Sequence, residues 1–468
     1  MGWLDKLLGR ADDAPATPPE SVNPAPEPAA PIAGAQPWAG LQGNRFGRYS
    51  DNNKSYARTQ SWYKAEERYK EKAYNESIAA FFDYLSDDEE GNVEFRPNGR
   101  TFTFEITQGS KHIYGSGDGE RIIARTCLAR MVKPSSPVMR LLLNENYKLY
   151  YTRCAMDEDG TLCMIFDTDV TMASPNKMYN GLKELAIKAD RQDDLLVADF
   201  SALKPVDIDH IMPLALQELE VKYNWFRQWI QETLDRVADL NADSFSGAIA
   251  YLQLVLLYRI DFLITPEAKL LAEIQRISAL YWDKKEETAL VERNAMMKEG
   301  IRKLLDVTRD EFSASVFHAK STFAVVMRGT ADKMRENVIN SNKDAQWYVD
   351  NKHPEIALVL NEYGPMYNHW SFSMPRILTD LTSIYMAVMH AAYFRALGLT
   401  APFYHPETGA FEKETIRRAV DEALAKWPDK YVDLKWDHAK IKWDSLFAFG
   451  ASFTEQMANL NLEERRQA

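Results

Sequence analysis

Cysteine is scarce in this sequence. Cys127, Cys154 and Cys163 are the only three among 468 residues. They are too few and too widely spaced for a disulfide framework, and no Cys-x-x-Cys pair is present. That usage fits a reducing compartment, and a cytoplasmic location is expected. Signatures of common enzymes are missing as well. No Gly-x-Ser-x-Gly elbow exposes a serine nucleophile, and none of the eight histidines has His-Glu-x-x-His or Glu-x-x-His spacing, the arrangement a dimetal helical bundle requires. Asp207-Ile-Asp-His210 groups ligand-type residues, yet acidic residues at that point suit the first turn of a helix better than a metal. No enzyme activity, cofactor or metal is expected. Positive charge is in deficit: 56 Lys and Arg stand against 68 Asp and Glu, a net charge of -12. Broad nucleic-acid binding is disfavoured, because counterion release needs a basic surface.

Long uncharged apolar runs are also lacking. The opening stretch of residues 1–10 is interrupted by Asp5 and Lys6, so it has no continuous signal-peptide core. The most apolar later segment, about 372–399, carries Arg376, Asp380 and Arg395, and such charges are costly inside a bilayer. No transmembrane segment is expected. What remains in residues 1–10 is a short amphipathic segment with Trp3, Leu4, Leu7 and Leu8 on one side. It reads as a candidate docking peptide for a partner groove, with weak peripheral membrane contact as the other use. Residues 11–60 then read as a linker. Eight prolines from Pro15 to Pro37 favour extended chain, and a basic-aromatic stretch with Arg45, Phe46, Arg48 and Tyr49 follows.

Enough is present to build real cores: 46% of residues are hydrophobic and 12% aromatic, at a length beyond what one core usually fills. From Trp62 the aromatics adopt helical spacing, and between residues 92 and 167 the period changes to two, with Phe102, Phe104 and Ile106 alternating against Thr101, Thr103 and Glu105. Strands are expected near 101–106, 111–114 and 121–131. The Gly115-to-Gly119 stretch lacks the Gly-Lys-Ser/Thr ending of a phosphate loop and reads as a hairpin connection. A short helix beginning at Ser135 with Pro137 in its first turn, two strands joined at Asp157-Glu-Asp-Gly160, and a helix opening at Ser174 complete a unit over 61–200. The order helix, three strands, short helix, two strands, helix resembles the YbjN family and the related type III secretion chaperone-like fold. The local texture carries the likeness through Leu141-Leu-Leu-Asn144, Asp157-Glu-Asp-Gly160 and Leu162-Cys-Met-Ile-Phe166, over about residues 62–195. The resemblance implies an antiparallel sheet flanked by helices, homodimerisation and non-enzymatic binding of other proteins, and it supplies no site residues.

From 205 to 468 the pattern is helical. Helices are expected at about 209–239, 243–262, 266–282, 284–307, 309–328, 330–350, 372–397, 413–426 and 440–462, with Thr308-Arg-Asp-Glu311 spaced as a capping box. The expected fold class is therefore α+β followed by a large all-α domain. Within it, the stretch from Asn361 to Trp370 reads as a loop, and Tyr363, Tyr367, His369 and Trp370 are its candidate interface or pocket residues. A chaperone-like or adaptor protein that binds a protein partner is the expected function. The alternatives are a structural subunit of a larger assembly and a small-molecule sensor or enzyme with a pocket in the helical domain.

Overall fold

The computed structural model describes residues 46–50, 54–87, 89–208, 211–282, 287–399 and 402–465. The fold is α+β with a large helical region behind it. A helical hairpin, α1 (Tyr56–Lys70) and α2 (Tyr74–Leu85), leads into strands β1 (Val93–Asn98), β2 (Thr101–Gln108), β3 (Lys111–Gly117) and β4 (Arg121–Met131). Helix α3 (Ser136–Asn146), strands β5 (Thr152–Met156) and β6 (Thr161–Asp169) and helix α4 (Pro175–Asp199) complete the unit. The strands pair antiparallel in the order β1-β2-β3-β4-β6-β5, and a two-residue strand β7 (Leu203–Lys204) adds to β4. The period-two pattern does what it promises: Phe102, Phe104 and Ile106 of β2 point inward with Ile122 and Ala124 of β4. Phe81 and Phe82 of α2 and Leu182, Leu185 and Ala186 of α4 cover that face. Two features go beyond the expected order. Residues 93–98 form an additional first strand, and the glycines at 115 and 117 lie within β3, where a Cβ would collide with the Phe104 and Phe102 rings.

The helical region runs through α5 (Leu216–Ala238), α6 (Ser246–Leu263), α7 (Ala268–Trp282), α8 (Leu290–Lys303), the short α9 (Arg309–Ala314), α10 (Ala331–Asp350), α11 (Pro354–Ser371), α12 (Arg376–Met389), α13 (Ala391–Ala396), α14 (Lys413–Leu424) and α15 (Leu446–Ala458). Helix α6 is apolar all round, and Gly247 through Leu263 are buried. By length and composition it is the one helix among the described residues that would cross a membrane, yet it is the central helix of this core. It carries two charges, Arg259 and Asp261, and each has a partner. Glu362 of α11 binds Arg259 at 2.9 Å, and Arg48 binds Asp261 at 2.7 Å and Glu267 at 2.8 Å.

That second contact corrects the linker reading of residues 11–60 for the part that is described. Phe46 is buried between Phe262 and Phe394, and the Gly47 N–H donates to Phe262 O at 2.8 Å. Gly47 has φ +71, and a Cβ there would stand 2.9 Å from the Phe262 ring. The 309–328 helix is also corrected. The capping box forms, with Glu311 N–H donating to Thr308 Oγ1 at 3.3 Å, but the helix ends at Ala314 and the chain becomes an extended strap. Residues 317–318 pair with 212–213 as two-residue strands. Beyond them Gly109 N donates to Lys320 O at 2.8 Å, and Phe323 is buried in the sheet's core beside Tyr179. The Gln108 side chain receives the N–H groups of Thr322 and Phe323 at 3.2 and 2.9 Å and donates to Phe323 O at 3.3 Å. Tertiary pairing thus overrides the local helical period.

Three smaller corrections have local causes. Residues 361–370 are helical throughout; Gly364 lets α11 approach α10, since a Cβ there would stand 2.7 Å from Val338 Cα. The 372–397 helix is broken at His390. Asp207 has φ +56 and accepts from Tyr114 Oη at 3.2 Å in place of capping a helix; Asp209 and His210 lie outside the described residues.

A buried ion pair with one partner removed leaves an uncompensated charge, which typically costs about 3 kcal/mol or more. Arg48→Gln should therefore lower unfolding stability by about 3 kcal/mol, measured by urea denaturation. A loss below about 0.5 kcal/mol would place Arg48 with ordinary surface positions.

Candidate functional site

Helix α3 buries Val138 and Leu142, one turn apart, against the sheet's core. Pro137 in its first turn fixes the start, although the Ser135 side chain makes no capping bond. Its outer surface carries two leucines beside Arg140 and Asn144. Leu141 and Leu143 face solvent, and the chain then turns through Tyr147, Tyr150 and Tyr151, all exposed. Leu143 is 67% accessible, Tyr147 94% and Tyr150 91%. An exposed cluster of large apolar side chains marks a recognition surface more often than a structural one.

The backbone that carries these side chains is held firmly. Glu184 of α4 accepts from the N–H groups of Tyr150, Tyr151 and Thr152 at 2.9, 2.7 and 2.9 Å, and from Thr152 Oγ1 at 2.9 Å. Burial alone would raise the Glu184 carboxyl, and these donors reverse the balance and hold it below its ordinary range. Asn146, at the last turn of α3, exchanges two bonds with the Cys154 backbone at 2.6 and 3.3 Å. A tyrosine pair on a rigid backbone loses little conformational freedom when a partner covers it. Beside the loop, α3 and α4 enclose an apolar groove of about 320 Å³, with Leu141, Leu142, Leu196 and Phe200 as its walls. Lys188 and Arg191 of α4 flank it, and Glu145 is occupied by Gln192 at 3.1 Å and Lys148 at 2.6 Å.

The side chains singled out in the sequence fall elsewhere. Trp3, Leu4, Leu7 and Leu8 lie outside the described residues. Tyr363, Tyr367, His369 and Trp370 come together on α11, but they pack inward in place of rimming a loop. Tyr363 meets Tyr251 edge-on at 4.5 Å and Tyr367 at 5.5 Å, while Trp370 lies 5.0 Å from Tyr258. His369 is buried against Phe262 at 4.6 Å, with Nε2 3.0 Å from Thr382 Oγ1. The cysteines serve as small packing residues. Burial pushes the Cys154 thiol up to about 11 and raises that of Cys163. Among the described residues no group of three or more His, Cys, Asp and Glu side chains is placed to hold a metal. The signal for the exposed site was present as Leu141-Leu-Leu-Asn144 and the Tyr147-to-Tyr151 run, but sequence alone cannot tell which of those leucines face outward.

Comparison of the chain with protein-family models, curated proteins and solved structures finds no match.

His369 makes a pH prediction. Burial disfavours its charged form and lowers its pKa to about 3. The folded state thus holds a neutral imidazole that the unfolded chain protonates below pH ~6.5. This stability is fully present above that value and is lost as pH falls toward the folded pKa. Between pH 7 and pH 5 the loss from this residue should be about 2 kcal/mol. His369→Gln should flatten that part of the pH–stability curve, measured by urea denaturation at each pH. An unchanged slope would contradict the assignment.

Proposed function

We propose that this chain is a non-enzymatic protein-binding protein of the bacterial cytoplasm, of chaperone-like or adaptor type. Its α3–α4 surface takes an amphipathic helix from a partner protein. The observation that carries the reading is the display of Leu143, Tyr147 and Tyr150, with the backbone from Tyr150 to Thr152 pinned by Glu184. Aromatic anchors fixed before binding are the features that dominate interface energetics. The partner's chemistry follows from the surface. Leucine-type side chains fit the groove between α3 and α4, and acidic residues on the partner's flank complement Lys188 and Arg191. The element order resembling the secretion chaperones supports the same reading.

A second reading has one observation in its favour: the protruding Tyr147 and Tyr150 stand beside a groove on the same surface. A two-fold contact between two copies pairs protrusion with groove in both directions, as isologous interfaces require.

The two are separated by placing a photo-crosslinking phenylalanine analogue at Leu143 in the full chain within its native cell. The expected product is a recurrent adduct to one foreign protein. Its crosslinked segment, made as a peptide, should bind the purified chain and lose at least about tenfold in affinity, or 1.4 kcal/mol, with Tyr147→Ala/Tyr150→Ala. That variant should melt like the wild type, because both side chains are exposed. Adducts solely to a second copy would replace the adaptor reading with the dimer. A peptide that binds the double variant equally well would sink the proposed surface.

A further inference from the structure

The helical region contains a cleft of about 320 Å³ between α5, α6, α11 and the α12–α13 joint. Its walls are apolar, with Trp225, Trp229, Leu252, Val359, Met389 and Leu446 among them. Its floor is not. Glu362 Oε2 receives Arg259 Nε at 2.9 Å and lies 2.9 Å from the Nη2 nitrogen, and Oε1 is 2.7 Å from His390 Nε2. Arg259 also lies over the Trp229 ring, 5.7 Å from its centroid, and His390 meets the same ring edge-on at 5.7 Å. Burial would raise the Glu362 carboxyl, but Arg259 and His390 hold it down to about 2. It is therefore an ionised acceptor with both oxygens occupied.

What the cleft has left over is donor capacity. Arg259 Nη1 has no hydrogen bond among the described residues, and neither does the guanidinium of Arg236 on the same wall. Two further carboxylates stand in the lining: Glu232 accepts from the Gln228 amide at 2.8 Å, and Glu355 lies 3.6 Å from His353 Nδ1. A pocket with aromatic and aliphatic walls and a few convergent charged donors selects an anion on an apolar body. We propose that this cleft binds a small carboxylate whose compact apolar part lies against Trp225 and Trp229 and whose carboxylate meets Arg259 and Arg236. This inference stands apart from the protein-docking surface, which uses none of these residues.

The test is isothermal titration of the full chain with benzoate, set against benzamide, which has the same shape without the charge. Benzoate should saturate a single site with Kd of roughly 1 mM or tighter, and benzamide should bind at least about tenfold more weakly. Arg236→Gln, which disturbs no ion pair among the described residues, should weaken benzoate by about tenfold. Ala392→Trp, at an exposed position of the cleft lining, should abolish binding while the melting temperature stays at the wild-type value. Failure of benzoate to saturate by ~20 mM, equal binding of benzamide, or a wild-type titration by the Ala392→Trp chain would each overturn the proposal.

Discussion

A helix buried on every side can carry a charge only where the rest of the chain supplies an opposite one, and α6 carries two. The cost of leaving Arg259 or Asp261 alone in that core is several kcal/mol each. Much of the helical region is arranged around avoiding it. Glu362 enters from α11 to neutralise Arg259, and His390 reaches the other Glu362 oxygen from the point where α12 gives way to α13. On the far side of the same helix, Asp261 recruits Arg48 from a segment more than 200 residues earlier in the chain. The segment can lie that close because Gly47 has no side chain to meet Phe262. The N-terminal boundary of the helical core is thus set by electrostatics, while its bulk is set by apolar burial.

A second constraint ties the sheet to the helices. Placing Phe323 in the sheet's core brings the backbone of residues 320–323 with it, and buried backbone groups need partners. Gln108 supplies them with one amide, accepting from two N–H groups and donating to one carbonyl as a neighbouring strand would. Thr322 closes the remaining gap through Asn92 at 3.1 Å and Thr107 O at 2.9 Å. The strap occupies the Gln108 end of β2, and none of residues 317–323 lines the α3–α4 groove.

Local physics was legible in the sequence, and long-range pairing was not. Alternation in residues 101–106, the Gly160 hairpin, the Thr308 capping box and most helices from 330 onward follow from spacing and caps. The failures share one cause. Residues 315–328 have helical-looking composition, but their contacts lie more than 200 residues away at Gln108, which no window of periodicity can contain. Arg48 looked like linker charge because its acids lie more than 200 residues away in the chain. In Asn361-to-Trp370 the sequence correctly marked an unusual concentration of polar and aromatic groups. Tyrosines suit a rim and a core equally well, however, and the chemically distinctive member was the unremarked Glu362 beside them. For the α3 surface the apolar residues were visible, while their outward direction depends on which helix face meets the sheet.

The cleft and the ion pair beneath it have a single origin. Arg259 pairs with Glu362 through Nε and one terminal nitrogen, and its second terminal nitrogen has no hydrogen bond among the described residues. His390 is held through Nε2 at the α12–α13 joint, where Ala391 and Ala392 also line the cleft. Glu362 is held ionised by Arg259 on one oxygen and His390 on the other. Glu362 and Arg259 are committed to each other, so the donors left for the proposed carboxylate are the Arg236 guanidinium and the second terminal nitrogen of Arg259.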